Sequence, residues 1–287
     1  MITRGLESAS NGMKTLIEYQ DIVANNIANV NTTSFKKTNL AFKNVMDMAI
    51  EEKSRFNEFQ AQTRHLGNLS AGSVVDKRYL DFSQGALIQT GKSLDLALLS
   101  DGFFKVQEKQ TIGEPYHENN FYYTRNGSFH LNEDYYLVNN LGDFVMDSEN
   151  RRIRIARDPD DPNNDVNNRV DTQKELTIAG NGTISITNPD FQRTLQRIQI
   201  VDFEDKSKLG QIGDSRYREI LGQNAGRFQL RGDAGLTQGS LEGSNVNTVN
   251  EMIHTIEITR AYETLSTMVR EQSELLSQAI ELGKIRG

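Results

Sequence analysis

The chain has 287 residues, with 36% apolar and 25% charged, enough for about two domains at ~150 residues each. Its 32 Lys and Arg against 39 Asp and Glu give a net charge of -7, which lacks the basic excess that a phosphate backbone selects, so no nucleic-acid partner is expected. With no cysteine there can be no disulfide, thiol nucleophile or cysteine-held metal centre, and packing must supply the stability.

Arg4, Glu7, Lys14, Glu18 and Asp21 interrupt the first thirty residues. No apolar stretch of about 7 to 15 residues remains there for a cleaved secretory signal. Nothing along the chain approaches the ~18 to 20 apolar residues of a membrane span, so a soluble chain without direct membrane insertion is expected. Ile2, Leu6, Ala9, Met13, Leu16, Gln20, Val23, Ile27 and Val30 recur every three or four residues, the spacing of one helical stripe broken only by Gln20. Four heptads make about 40 Å of helix, a coiled-coil length. The stripe ends in Asn25, Asn26, Asn29 and Asn31. Asn disfavours helix interiors because its amide competes for backbone hydrogen bonds. Either the helix frays here or these amides bond a neighbouring element, for which the region of Ser244, Asn245 and Asn247 is the expected partner.

From about Leu80 to Leu241 short alternating segments replace the helical period. FYYTR (121–125), Asn126-Gly127 and SFHLN (128–132) have the form of a hairpin whose turn supplies two positive-φ positions. YYLVNN and DFVM read as the next two strands of a meander. ELTIAG (175–180), Asn181-Gly182 and TISIT (183–187) form a second hairpin of the same type, and RIQIVDF (197–203) a further strand. DPDDPNNDVNN (158–168) reads as a solvated polar loop, since counting from Asp158 puts Asn163 and Arg169 where a calcium loop needs Gly and Glu. Beyond it, Thr248 and Glu251 have capping-box spacing. Val249, Met252, Ile253, Ile256, Leu265, Met268, Val269, Leu275, Leu276, Ala279 and Ile280 then continue a broad apolar stripe, with Gly283 as its expected stop. Two long apolar helices at the termini are marginal alone in water, so they must pair with each other, with other subunits, or with both.

Chemistry-bearing patterns are absent. His65, His117, His130 and His254 are dispersed without i, i+4 pairing, and no nucleophile elbow, phosphate loop or dinucleotide fingerprint occurs. No cofactor, metal site or catalytic activity is expected. The competing reading is a secreted or periplasmic β-domain enzyme with helical dimerisation ends, which would gather Asp, Glu, His, Ser or aromatic residues in one cleft.

DIVANNIANVNTTSFKK (21–37) resembles the N-terminal signature of the flagellar rod and hook axial proteins through Asn25, Asn26, Ala28, Asn29, Asn31, Thr32, Phe35 and Lys36, with Ser34 where that family commonly has Gly. QGALIQTGKSLDLALLSDGFFKV (84–106) is similar to a second family stretch through Gly85, Leu87, Thr90, Gly91, Leu94, Asp95, Ala97, Gly102, Phe103 and Phe104. YTRNGSF (123–129) resembles a third. LEGSNVNTVNEM (241–252) and RAYE (260–263) resemble the C-terminal signature through Glu242, Ser244, Asn245, Val246, Asn247, Glu251, Met252, Arg260, Ala261, Tyr262 and Glu263. Length and LDLALLSDGFF point to the mid-sized rod members, proximal and distal, and LEGSNVN is closer to the proximal one.

The resemblance implies an α+β fold in which paired terminal helices (1–33 with 245–287) form a coiled-coil inner domain. A connecting segment (34–80 with 235–244) and a mostly antiparallel β-rich outer domain (81–234) complete it. It implies a structural axial protein of the flagellar basal body, in the rod within the periplasmic space. Such a protein is exported by the flagellar type III apparatus without a cleaved signal and polymerises with its own copies and neighbouring rod proteins. The residues expected to carry assembly are Leu6, Met13, Asn25, Asn26, Ile27, Asn29, Asn31, Phe35, Asn245, Asn247, Ile253, Ile256, Tyr262, Leu265 and Val269.

Overall fold

A computed structural model of the chain describes residues 2–44, 48–57, 60–69, 72–109, 121–155, 175–188, 191–220, 225–229 and 235–285. The polar loop expected at 158–168 lies outside the described residues. The helix expected at the N-terminus is α1 (Ile2–Ala28). Of its stripe, Ala9 and Val23 are buried, Met13, Leu16 and Ile27 are half-buried, and Leu6 is exposed. Val30 falls beyond the helix, where Thr32 N–H donates to the Asn29 carbonyl in a turn.

Residues 34–80, expected as connecting chain, contribute β1 (Thr38–Asn44), β2 (Met48–Asn57), β3 (Gln60–Leu69) and β4 (Ser73–Leu80). β1 pairs antiparallel with β4, and β2 with β3. Having β4 beside it explains why α1 buries Thr15 outside the stripe: the Thr15 hydroxyl donates to the Ser73 carbonyl at 3.0 Å.

In the second unit come β5 (Leu87–Gln89), β6 (Leu96–Leu98), β7 (Phe103–Gln107), β8 (Phe121–Thr124), β9 (Phe129–Leu131), β10 (Leu137–Asn139) and β11 (Phe144–Val145). After them come β12 (Leu176–Ile178), β13 (Thr183–Asn188), β14 (Phe191–Arg197), β15 (Ile200–Phe203), β16 (Leu209–Gly213) and β17 (Arg216–Glu219). β18 (Arg227–Gln229), β19 (Leu236–Gln238) and β20 (Ser240–Glu242) complete the strands, and α2 (Thr248–Ile285) ends the chain. Contacts divide these elements into two units: Met1–Ala28, Thr38–Asp81 and Asn247–Gly287 make the first, Asn29–Lys37 and Phe82–Val246 the second.

The second unit is antiparallel throughout its described pairings. Its largest sheet runs β16-β17-β8-β7-β11-β10-β9, with β15 joining β7 to β18; β12-β13-β14, β19-β6 and β20-β5 are smaller. Leu96, Leu98, Phe104, Val106, Leu137, Val145, Ile153, Ile155, Ile184 and Ile186 form the centre of its core. β7 is buried along its whole length because it is covered on both faces. Phe104 and Val106 face that core, while Phe103 stacks edge-on with Phe82, Phe203 and Tyr217.

Two sequence expectations change here. β8 and β9 do not form a hairpin: β8 pairs with β7 and β17, and β9 with β10. Neither Asn126 nor Gly127 has positive φ. A Cβ on Gly127 would lie 1.8 Å from the Leu96 carbonyl oxygen, so this glycine serves close backbone contact rather than a turn. The second hairpin does pair, Leu176 against Ile186 and Ile178 against Ile184. Its turn runs from Ala179 to Gly182, where Gly182 alone takes positive φ, at 84°.

α2 starts differently from the expected capping box. Asn247 is the N-cap, its Oδ1 accepting from Val249 N–H at 3.0 Å and Asn250 N–H at 3.2 Å. Glu251 turns inward instead of back to Thr248, and is buried. Gly283 does not stop the helix, which continues to Ile285, since one interior glycine costs only about 1 kcal/mol.

Candidate assembly sites

In the first unit α1 and α2 lie side by side. Gly5 faces Gln272 and Gly12 faces Leu265, while Asn26 meets Glu251. The partners step backwards along α2 as α1 advances, so the helices are antiparallel. Because Gly5 already lies against Gln272, α2 beyond about Leu275 runs past the start of α1.

Asn26 is the polar fastening of this pair. Its Nδ2 donates to the Thr38 carbonyl at 3.0 Å and to Glu251 Oε2 at 3.3 Å, and its Oδ1 accepts from Thr38 N–H at 3.1 Å. This amide does reach the first turn of α2, through Glu251 rather than Asn247. Asn25 is exposed, and Asn29 belongs to the second unit, where its Oδ1 accepts from the Thr32 hydroxyl at 3.1 Å. Asn31 is exposed there.

The start of α2 presents an exposed apolar face, and further exposed apolar side chains follow along the helix. Val249, Met252, Ile253, Ile256, Tyr262, Met268, Leu275, Leu276 and Ile280 are all exposed, Val249 by 65% and Leu275 by 58%. Leu265 and Val269 are half-buried. In this 38-residue helix Ile258 is the one buried apolar side chain among the described residues. Val249, Met252, Ile253 and Ile256 share one face at i, i+3, i+4 and i+7, while Tyr262, Leu276 and Ile280 lie on another side of the helix.

The second unit holds a buried ion cluster at Glu242. Lys36 Nζ donates to Glu242 Oε1 at 2.7 Å, Arg125 Nε to Oε2 at 3.0 Å, and Gly85 N–H to Oε1 at 2.9 Å. Lys36, Arg125 and Glu242 are almost wholly inaccessible. Burial of charge is tolerable only where partners are supplied, and Lys36 adds a bond to the Ser83 carbonyl and Arg125 Nη2 one to the Ser100 carbonyl, while Arg125 Nη1 is buried without a hydrogen-bond partner among the described residues. A Cβ on Gly85 would sit 2.1 Å from the Gly243 carbonyl oxygen, so only glycine lets β5 approach β20 here.

Ser34 closes the same corner. It sits at φ 55°, the left-handed region that favours the glycine its family commonly carries. Its N–H donates to the Glu242 carbonyl at 2.8 Å and its hydroxyl to the Arg125 carbonyl at 2.8 Å. Phe35 is buried beside it in sequence. Asn245 joins the two strands of chain, accepting from Lys37 N–H at 2.8 Å through Oδ1 and donating through Nδ2 to Ser83. Lys36, Gly85, Arg125 and Glu242 each belong to a different one of the four motifs singled out in the sequence. Sequence reasoning did not place them together, because pairing across some 200 residues leaves no local signal.

Three family matches cover these same elements. Residues 6–36 match the flagella basal body rod protein family, residues 97–186 the flagellar hook protein FlgE/F/G D1 domain, and residues 237–282 the flagellar basal body rod FlgEFG protein C-terminal region. The chain is 35% identical over 273 residues to the flagellar basal-body rod protein FlgF of Caulobacter vibrioides, covering 94% of each. The chain belongs to the flagellar basal-body rod proteins. Against the rod protein FlgG of Bacillus subtilis it is 29% identical over 286 residues, 97% of this chain and 98% of the relative. The FlgG of Borreliella burgdorferi is 28% identical over 287 residues, at 97% and 98% coverage.

As a rod protein of this type the chain is a structural component of the bacterial flagellar basal body and not an enzyme, which sets aside the β-domain enzyme reading. The ion cluster gains meaning in this family. Lys36, Arg125 and Glu242 come one from each matched segment, so a single buried carboxylate ties all three together.

Proposed function

We propose that this rod protein polymerises through its terminal helices, with the apolar face at the start of α2 seated against helices of neighbouring copies in a coiled-coil inner layer. The observation that carries this reading is the exposed face of Val249, Met252, Ile253 and Ile256, which the pairing with α1 leaves in water, with Leu275, Leu276 and Ile280 exposed further along. Head-to-tail contacts that do not close on themselves yield a helical filament, the form a shaft requires. Of the expected assembly residues, Ile253 and Ile256 lie on that face, Tyr262 is exposed on another side of α2, and Leu265 and Val269 are half-buried on the side towards α1. Export by the flagellar type III apparatus without a cleaved signal, and a place in the periplasmic rod among neighbouring rod proteins, follow from the same family reading.

Within the rod the proximal position is favoured. LEGSNVN, at 241–247, and the 35% identity to an FlgF support it. Replacing Ile256 by Asp puts a carboxylate in the seam of every subunit, at several kcal/mol per contact. Rod assembly is expected to be lost while the monomer keeps its β-sheet circular dichroism; normal rods from the Ile256→Asp strain would defeat the seam. Electron microscopy of basal bodies from a deletion strain locates the subunit. Loss of the whole rod outward from its base supports the proximal position, and a retained short stub places it distally.

A further inference from the structure

The segment 235–246 bonds to several separate stretches of the second unit. Among the described residues β5 pairs only with β20, and β6 only with β19. Yet β6 is Leu96–Leu98, fully buried at the core. Leu236 enters that core, and its N–H donates to the Gly180 carbonyl at 3.0 Å. Gly235 and Gly239 carbonyls accept from Leu99 and Thr90 N–H at 2.8 and 2.9 Å, and Gly243 N–H donates to Ala86 at 2.7 Å. Glu242 then supplies the carboxylate for Lys36 and Arg125 and the backbone acceptor for Ser34.

Without this segment the unit has two apolar strands with open edges and two cations facing a dry interior without their shared carboxylate. Each is costly: an open apolar edge invites wrong pairing, and removal of one member of a buried ion group strands the others. The segment also lies at the C-terminal end of the unit, which begins at Asn29. We propose that residues 235–246 are the closing segment of the β unit, so that a chain emerging N-terminus first cannot complete this unit until Glu242 has been released. Premature folding is prevented by topology: the ion cluster and the last two strands withhold the fold until Glu242 has emerged. The consequence holds for synthesis and for N-terminus-first export alike, and stands independently of the proposed helical seam.

Ribosome-bound chains of the natural sequence, stalled with residues through 220, 235 or 250 outside the tunnel, test this by brief proteolysis. Chains exposing 220 or 235 residues are expected to be digested across 82–220, and those exposing 250 to yield a resistant β fragment. Resistance at 220 or 235, or sensitivity at 250, overturns the proposal. In the purified full-length protein, Glu242→Gln should speed hydrogen exchange at the Ser34, Gly85 and Leu99 amides together, by about tenfold or more. Acceleration confined to Gly85 would mean a local bond and no closing function.

Discussion

Ser34 shows how one residue balances two terms. A non-glycine residue in the left-handed region costs roughly 1 to 2 kcal/mol, and its hydroxyl offsets part of this by donating to the buried Arg125 carbonyl at 2.8 Å. Ser34→Ala keeps the strain and drops the bond, so urea unfolding should show a loss of about 1 to 2 kcal/mol. Ser34→Gly drops both and should stay within about 1 kcal/mol of the natural protein. An alanine variant as stable as the natural chain would show that the hydroxyl contributes nothing. Lys105 is one residue that makes stability depend on pH. Its amine lies 3.9 Å from the Phe121 ring centre and bonds Asn150. Burial, aided by the Arg227 guanidinium, pulls it down to about 8 from an ordinary 10.5. Between those values the unfolded chain binds the proton that the folded one has released, so stability rises with pH through that window. Burial raises Tyr122 and Tyr123 above the ordinary 10, which reverses the slope once unfolded tyrosines ionise. Chemical denaturation from pH 7 to 10 should therefore show a rise that Lys105→Met removes; a flat natural profile would refute it.

At the scale of elements, the α1–α2 pair depends on one buried amide more than on the Asn-rich run as a whole. Asn26 makes contacts with Thr38 and Glu251 while nearly inaccessible, so Asn26→Ala leaves buried partners unmet at about 1 to 3 kcal/mol. Helix propensity favours Ala by at most ~0.7 kcal/mol, too little to reverse the sign. Asn25→Ala, at an exposed position, should cost much less. Thermal melts of the two single variants decide: equal destabilisation, or none for Asn26→Ala, would deny the fastening. α2 is a different case. Under the proposed seam its exposed apolar side chains contribute between subunits, so substitutions at Val249 or Ile256 are expected to change assembly and leave monomer stability almost untouched.

For the molecule, stability is divided between two units of unequal kind. The β unit has a continuous core from Leu96 to Leu236 and a buried ion cluster. The helical unit has an α2 that outruns its partner and exposes Leu275, Leu276 and Ile280. Local opening is cheapest where few apolar contacts hold a helix. Dilute monomer under limited proteolysis should lose the end of α2 beyond about Leu275 first, and a fragment containing 82–246 should survive longest. First cleavage within the described β strands of 82–246 would contradict this order, and protection of the α2 end on polymerisation would support the seam.

Periodicity by itself revealed both helices and seven of the sixteen described strands of the β unit, because burial on one face imposes a repeat of 3.6 or 2 on any chain. The four motifs likewise identified the family from residues alone. What one dimension could not supply was partnership. Asn126-Gly127 has the composition of a turn, yet contact with Leu96 decides its use; Thr248 and Glu251 have the spacing of a cap, yet Asn26 claims the carboxylate. β1–β4 escaped notice for the same reason, since strands such as Ser73–Leu80 carry Asp76, Lys77 and Arg78 in place of a clean alternation and owe their form to cross-strand bonds. The exposed face of α2 and the Lys36–Glu242–Arg125 cluster were settled only in the tertiary structure. Whether an apolar row is covered, or a charge is paired, depends on which distant segment the fold brings against it.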